Sequence, residues 1–66
     1  MKIILNGEPH DVAEGCTAAD LIAELGLTGR RLAMEVNREI VPRSEYENHR
    51  LRPADQVEVV HAIGGG

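Results

Sequence analysis

The sequence of this 66-residue chain closes on Gly64-Gly65-Gly66, and a carboxylate carried by such a run is the group in it most open to chemistry. Glycine has no Cβ, so the run can thread a narrow channel in extended form and leaves the last carbonyl open to attack from either side. A carboxylate becomes an acyl donor only after activation, because its oxygen is a poor leaving group. An acyl adenylate made with ATP, from which a sulfur nucleophile displaces AMP, is one such route. Three glycines directly after a strand-like Ile63 do nothing for the stability of a small fold. The run therefore reads as a flexible arm that presents Gly66 to another protein's active site, with Gly64 and Gly65 providing access. The plain alternative is a frayed end or a tag remnant, and no tag sequence accompanies the glycines.

Other reactive side chains are few. Cys16 is the single cysteine, which excludes an intrachain disulfide and an iron-sulfur cluster of the four-cysteine type. It precedes Thr17 and lies five residues before Leu21, the spacing of a hydrophobic staple, so it reads as packing. His10, His49 and His61 are spaced too widely for a short metal motif. His10 is expected at the rim of the core, His49 and His61 in solvent. No bound metal or cofactor is expected.

Composition sets the scale of what these groups can do. The chain has no Phe, no Trp and one Tyr, so Ile, Leu, Val, Met and Ala must build the core. A chain of this length hides only about 60% of its unfolded surface. That leaves little interior in which to enclose a substrate, which favours a carrier or binding module over a self-contained enzyme. Seven basic residues meet eleven acidic ones, for a net charge of -4. This opposes binding to a phosphate backbone, although Arg30-Arg31 and Arg43, Arg50 and Arg52 would be the residues to do it. The imbalance is local, since residues 1–29 hold Lys2 against Glu8, Asp11, Glu14, Asp20 and Glu24. The apolar run at the start is too short for a signal peptide and nothing approaches a membrane span, so a cytoplasmic, non-membrane protein is expected.

The elements that must position the glycine run follow from periodicity. Met1, Ile3 and Leu5 alternate with Lys2, Ile4 and Asn6, Asn6-Gly7 supplies a type I′ turn, and Pro9 marks the returning strand as an edge. Thr17 and Asp20 have capping-box spacing, Leu21 and Leu25 form an apolar stripe, and Gly26 is a left-handed stop. Leu32, Met34 and Val36 make a second alternating run, and Asn37-Arg38-Glu39 a tight turn into Ile40-Val41. Ser44 and Glu47 repeat the capping-box spacing over a turn or so of helix. Val57 and Val59 face one way in the last strand, Glu58 and Val60 the other. One helix can cover only one face of such a sheet. Ile4 and Val60 on the open face are expected to join a contiguous apolar patch beside the arm, with Ile63 completing a docking surface.

The hairpin-helix-strand order, the Asn37-x-x-Ile40-Val41-Pro42-Arg43 run, the Asp55-x-Val57-Glu58-Val59-Val60 strand and the closing Gly65-Gly66 together resemble the ThiS family, the bacterial sulfur carriers of thiamine biosynthesis. The resemblance spans the whole chain. A terminal Gly-Gly is common to all ubiquitin-like carriers, and the Ile-Val-Pro-Arg segment is the more specific signal. It implies an α+β, ubiquitin-like β-grasp fold, a mixed sheet of four to five strands with one helix on one face, as a single domain over 1–63 with the glycine arm at 64–66. It implies further that an E1-like adenylyltransferase (ThiF-like), using ATP and Mg²⁺, adenylates Gly66. The adenylate becomes a thiocarboxylate with sulfur that originates at a cysteine desulfurase, and thiazole synthase (ThiG-like) takes that sulfur to form the thiazole. Related carriers serve molybdopterin synthase, tRNA thiolation or cysteine synthesis, and β-grasp modules that bind RNA or protein share the element order. The molybdopterin synthase small subunit is typically longer and richer in Phe.

Overall fold

The computed structural model describes residues 1–61. Five strands and one helix follow one another as β1 (Lys2–Leu5), β2 (Glu8–Asp11), α1 (Ala18–Glu24), β3 (Leu32–Val36), β4 (Glu39–Val41) and β5 (Gln56–His61), with a turn of 3-10 helix at Arg43–Glu45 before β5. The strands lie in the order β2-β1-β5-β3-β4. The first and last strands are thus central neighbours and run parallel, while the other pairs are antiparallel. This is the mixed sheet of a β-grasp fold, as the resemblance implies.

Both hairpins turn on an asparagine. Asn6 (φ 49°) and Gly7 (φ 85°) close the β1-β2 hairpin, and Asn37 (φ 52°) and Arg38 (φ 69°) close the β3-β4 hairpin. Each is a two-residue loop with both central residues left-handed, the geometry that matches strand twist. Pro9 lies on the edge strand, as its missing N–H requires. Its partner is Ile4, between the hydrogen-bonded pairs that flank it, so the proline nitrogen faces the open edge and no ladder bond is lost.

The helix is short and defined at both ends. The Thr17 hydroxyl accepts from the Asp20 N–H at 3.1 Å and the Asp20 carboxylate accepts from the Thr17 N–H at 3.0 Å, a complete capping box. At the other end Gly26 (φ 72°) donates to Ala23 and Leu27 donates back to Ile22, both at 3.0 Å, a Schellman motif. The Ala18 and Ala19 amides, which a free helix would leave unpaired, donate to the carbonyls of His49 and Tyr46. These bonds dock the helix start onto the 46–49 segment. The Ser44 cap expected from spacing is not formed, because Pro42 holds the N-cap position of the 3-10 turn and no side chain caps it.

Ala18, Leu21 and Ile22 of α1 pack against Ile3, Met34, Val36, Val41, Val57 and Val59 of the sheet, with Cys16 inside the same cluster. Tyr46 is half-buried and packs against it. Two exposed residues carry backbone strain instead. Arg38 and Ala54 (φ 68°) are left-handed with a Cβ, a conformation that costs an L-residue about 1–2 kcal/mol. Arg38→Gly and Ala54→Gly are each expected to stabilise the fold by about 0.5–1 kcal/mol, glycine's greater freedom when unfolded offsetting the rest. Urea unfolding midpoints that fall in both variants would contradict this.

Candidate functional site

The described structure ends at His61, so Ile63, Gly64, Gly65 and Gly66 lie outside the described residues. What the fold defines is the end of the sheet from which the chain continues toward them. β1 pairs with β5 only at Ile4–Gln56 and Leu5–Val57, whereas β3 pairs with β5 from Val36–Val57 through to Leu32–His61. Residues 58–61 of β5 therefore extend beyond β1 and pair with β3 alone.

Asparagine side chains clip β5 in place on both flanks. Asn6 Oδ1 accepts from the Val59 N–H at 2.9 Å and its amide donates to the Val59 carbonyl at 3.3 Å. Asn37 Oδ1 accepts from the Gln56 N–H at 2.9 Å while its amide donates to Asp55 at 3.0 Å. Each clip stands in for a strand residue where the ladder stops. The same two residues that permit the hairpin turns thus also anchor β5. Turn propensity made these asparagines visible in the sequence, but nothing local could disclose the second role, because Asn6 and Val59 are 53 residues apart.

The open face is less apolar than the sequence suggests. Ile4 lies opposite Gln56 and Val60 opposite Ala33, so the two are four residues apart along β5, about 13 Å at strand rise. They do not form the contiguous patch expected of them, because the parallel register offsets β1 toward the start of β5. Ile4 is half-buried, while Val60 is 69% exposed. Ile40 on β4 is equally exposed and was not anticipated on this face; its alternation with buried Val41 is the signal that places it outward. Between them Glu35 and Glu58 stand directly opposite each other, a like-charge pair that costs stability and keeps the face polar.

The histidines divide differently from expectation. His10 sits half-buried with Nε2 3.0 Å from Glu24 Oε1, a rim contact that ties β2 to α1. His49 is half-buried, and its backbone carbonyl receives the Ala18 amide. His61 also is not in solvent. It shares the inward parity of Val57 and Val59, and its Nδ1 is buried without a hydrogen-bond partner among the described residues. The period of two along β5, which puts His61 on the side of Val57 and Val59, was the signal that placed it there. Cys16 is buried, its Sγ donating to the Thr17 carbonyl at 3.4 Å. Burial, followed by the nearby Asp20 and Glu24 carboxylates, pushes its thiol above the ordinary value, so little thiolate is available as a nucleophile. Among the described residues no group of three or more His, Cys, Asp or Glu is arranged to hold a metal ion. No described helix is long and apolar enough to cross a membrane.

A helix-covered mixed sheet with parallel central terminal strands, the last leading into a glycine run, defines the class of ubiquitin-like β-grasp proteins. The model of the ThiS family matches residues 3–66, and the chain belongs to that family. The sulfur carrier protein ThiS of Escherichia coli is 30% identical, each chain being covered in full. A crystal structure of the thiamine biosynthesis protein ThiS from Geobacter metallireducens superimposes over both whole chains with a TM-score of 0.83 at 28% identity. The thiazole synthase of Magnetococcus marinus is 47% identical over all 66 residues, and there the chain spans only 20% of its relative's length.

Proposed function

We propose that this protein is the sulfur carrier of thiazole formation in thiamine biosynthesis, with Gly66 as the sulfur-bearing residue. The observation that carries the reading is the family match, which runs through the β-grasp core and includes Gly66. The proposed chemistry balances in two steps. The Gly66 carboxylate attacks the α-phosphorus of ATP on an adenylyltransferase that uses Mg²⁺, giving an acyl adenylate and pyrophosphate. In the second, the outer sulfur of a persulfide supplied through a cysteine desulfurase displaces AMP from the acyl carbon, and a thiol cleaves the S–S bond of the resulting acyl disulfide, leaving the Gly66 thiocarboxylate and a disulfide.

The chain's own part is to be presented rather than to catalyse. Gly64 and Gly65 keep the approach to Gly66 free of side chains, and exposed Val60 with Ile63 beyond it gives partners an apolar grip near the arm. Ile4, at the other end of the open face, contributes to docking only for a partner broad enough to reach it. Thiazole synthase is the acceptor in this reading. Two proteins of that name, from Magnetococcus marinus and Paramagnetospirillum magneticum, each match the chain over a fifth of their length. Such a joining places carrier and acceptor at high effective concentration.

Incubation with the adenylyltransferase of the same organism, ATP, Mg²⁺ and a sulfur donor should raise the intact mass by about 16 Da, one oxygen replaced by one sulfur. An unchanged mass beside an enzyme that modifies its own control carrier would overturn the reading.

A further inference from the structure

The fold also holds a cleft that the carrier chemistry does not use. It lies between α1, the loop leading into β3 and the 3-10 turn, with a volume of about 480 Å³. Ile22, Leu27, Leu32 and Tyr46 supply apolar lining. Arg30, Arg31 and Arg43 also line it, against a single acid, Glu47. All three arginines are exposed, and the ion pairs among the described residues, Lys2–Asp11 and His10–Glu24, involve none of them. Half of the chain's six arginines thus converge on one cleft of a protein whose net charge is -4.

The position of the cleft selects its occupant. Leu32 belongs both to the cleft and to the pair Leu32–His61 at the overhanging end of β5. Gly66 lies five residues beyond His61, so no course of the chain takes it farther than about 18 Å from that point. Any protein that acts on Gly66 must bring its surface to this end of the sheet. From this placement and the unpaired arginines we infer that the cleft docks an acidic segment, with an aliphatic side chain for the apolar lining, on the enzyme that activates the Gly66 carboxylate. Guanidinium groups suit this task because they pair with carboxylates in two-point geometry and remain charged at all working pH values. With three arginines against the single acid Glu47 in its lining, the cleft presents net positive charge to a partner that carries carboxylates.

The inference rests on the carrier reading, and the two fail separately. The test compares R30E/R31E and R43E with R50E/R52E, which changes charge by the same amount as the first variant at arginines outside the cleft. The measurement is steady-state adenylation of the full chain by the adenylyltransferase of the same organism, at low and high NaCl. R30E/R31E and R43E are expected to raise KM on the order of 10-fold at low salt with kcat unchanged, and to lose most of the salt dependence of the unaltered chain. R50E/R52E should stay within about twofold, and circular dichroism should show the same fold in all. Equal KM values for R30E/R31E and R50E/R52E would overturn the inference while leaving the mass shift at Gly66 intact. So would a self-association of the unaltered chain in sedimentation that R30E/R31E abolishes, or calorimetric binding of ATP alone that R43E removes, since each assigns the cleft another occupant.

Discussion

Deletion of Gly66 is expected to abolish thiocarboxylate formation while leaving thermal unfolding of the domain unchanged. The two halves of this expectation have separate causes. An acyl carbon and its nucleophile react from about 3–3.5 Å, and a displacement of even 1 Å costs on the order of 100-fold. Removing one extended residue withdraws the terminal carboxylate by about 3.3–3.6 Å, which places it outside reach of a site matched to the full arm. Among the described residues, by contrast, the buried core runs from Ile3 to Val59, and both clips on β5 end at Val59 or before it. Intact-mass measurement after incubation with the adenylyltransferase checks the first half, and a melting curve the second. A variant that still gains sulfur would remove Gly66 from its proposed role, and one that melts early would show the glycine run to be part of the fold.

Leu21→Ala has the largest expected effect on stability. Leu21 is fully buried, and with Ala18 and Ile22 it fastens the seven-residue α1 to the sheet. Truncating a buried leucine costs about 3 kcal/mol through lost transfer energy and the cavity that remains. A domain of this size has roughly 3–10 kcal/mol in total, so the variant should melt at least 10 °C lower and be partly unfolded near 37 °C. A helix this short has no stability of its own to fall back on. Val60→Asp provides the contrast, because a side chain that is 69% exposed should change stability by no more than about 0.5 kcal/mol. Calorimetry on the two variants checks both, and comparable losses would mean that the open face is packed rather than free.

Most of the elements were legible because their signals are local. Asn6-Gly7 and Asn37-Arg38 turn where turn chemistry puts them, Thr17 and Asp20 close the capping box, and Gly26 with Leu27 completes the stop. The Ser44 cap failed for an equally local reason, since Pro42 had already taken the N-cap position. The candidate site was legible only in part. Gly64 to Gly66 stand out by composition, and Arg43 by its place in the Ile40-Val41-Pro42-Arg43 run, yet periodicity says nothing of which residues share a surface.

Alternation and turn chemistry, properties of residues within a few positions of each other, were thus enough for the strands, the helix and the glycine run. The tertiary structure alone decided the rest. Parallel pairing of β1 with β5 separated Ile4 from Val60 and left β5 overhanging, and pairing with β3 turned His61 inward beside Leu32. Folding of the 26–31 loop against the 3-10 turn gathered Arg30, Arg31 and Arg43 around one cleft. Each of these outcomes depends on the register between segments distant in the chain, and a shift of one residue would reverse which side chains face inward. Register is settled by burying Ile3, Met34, Val57 and Leu21 together, a collective choice that no single segment carries.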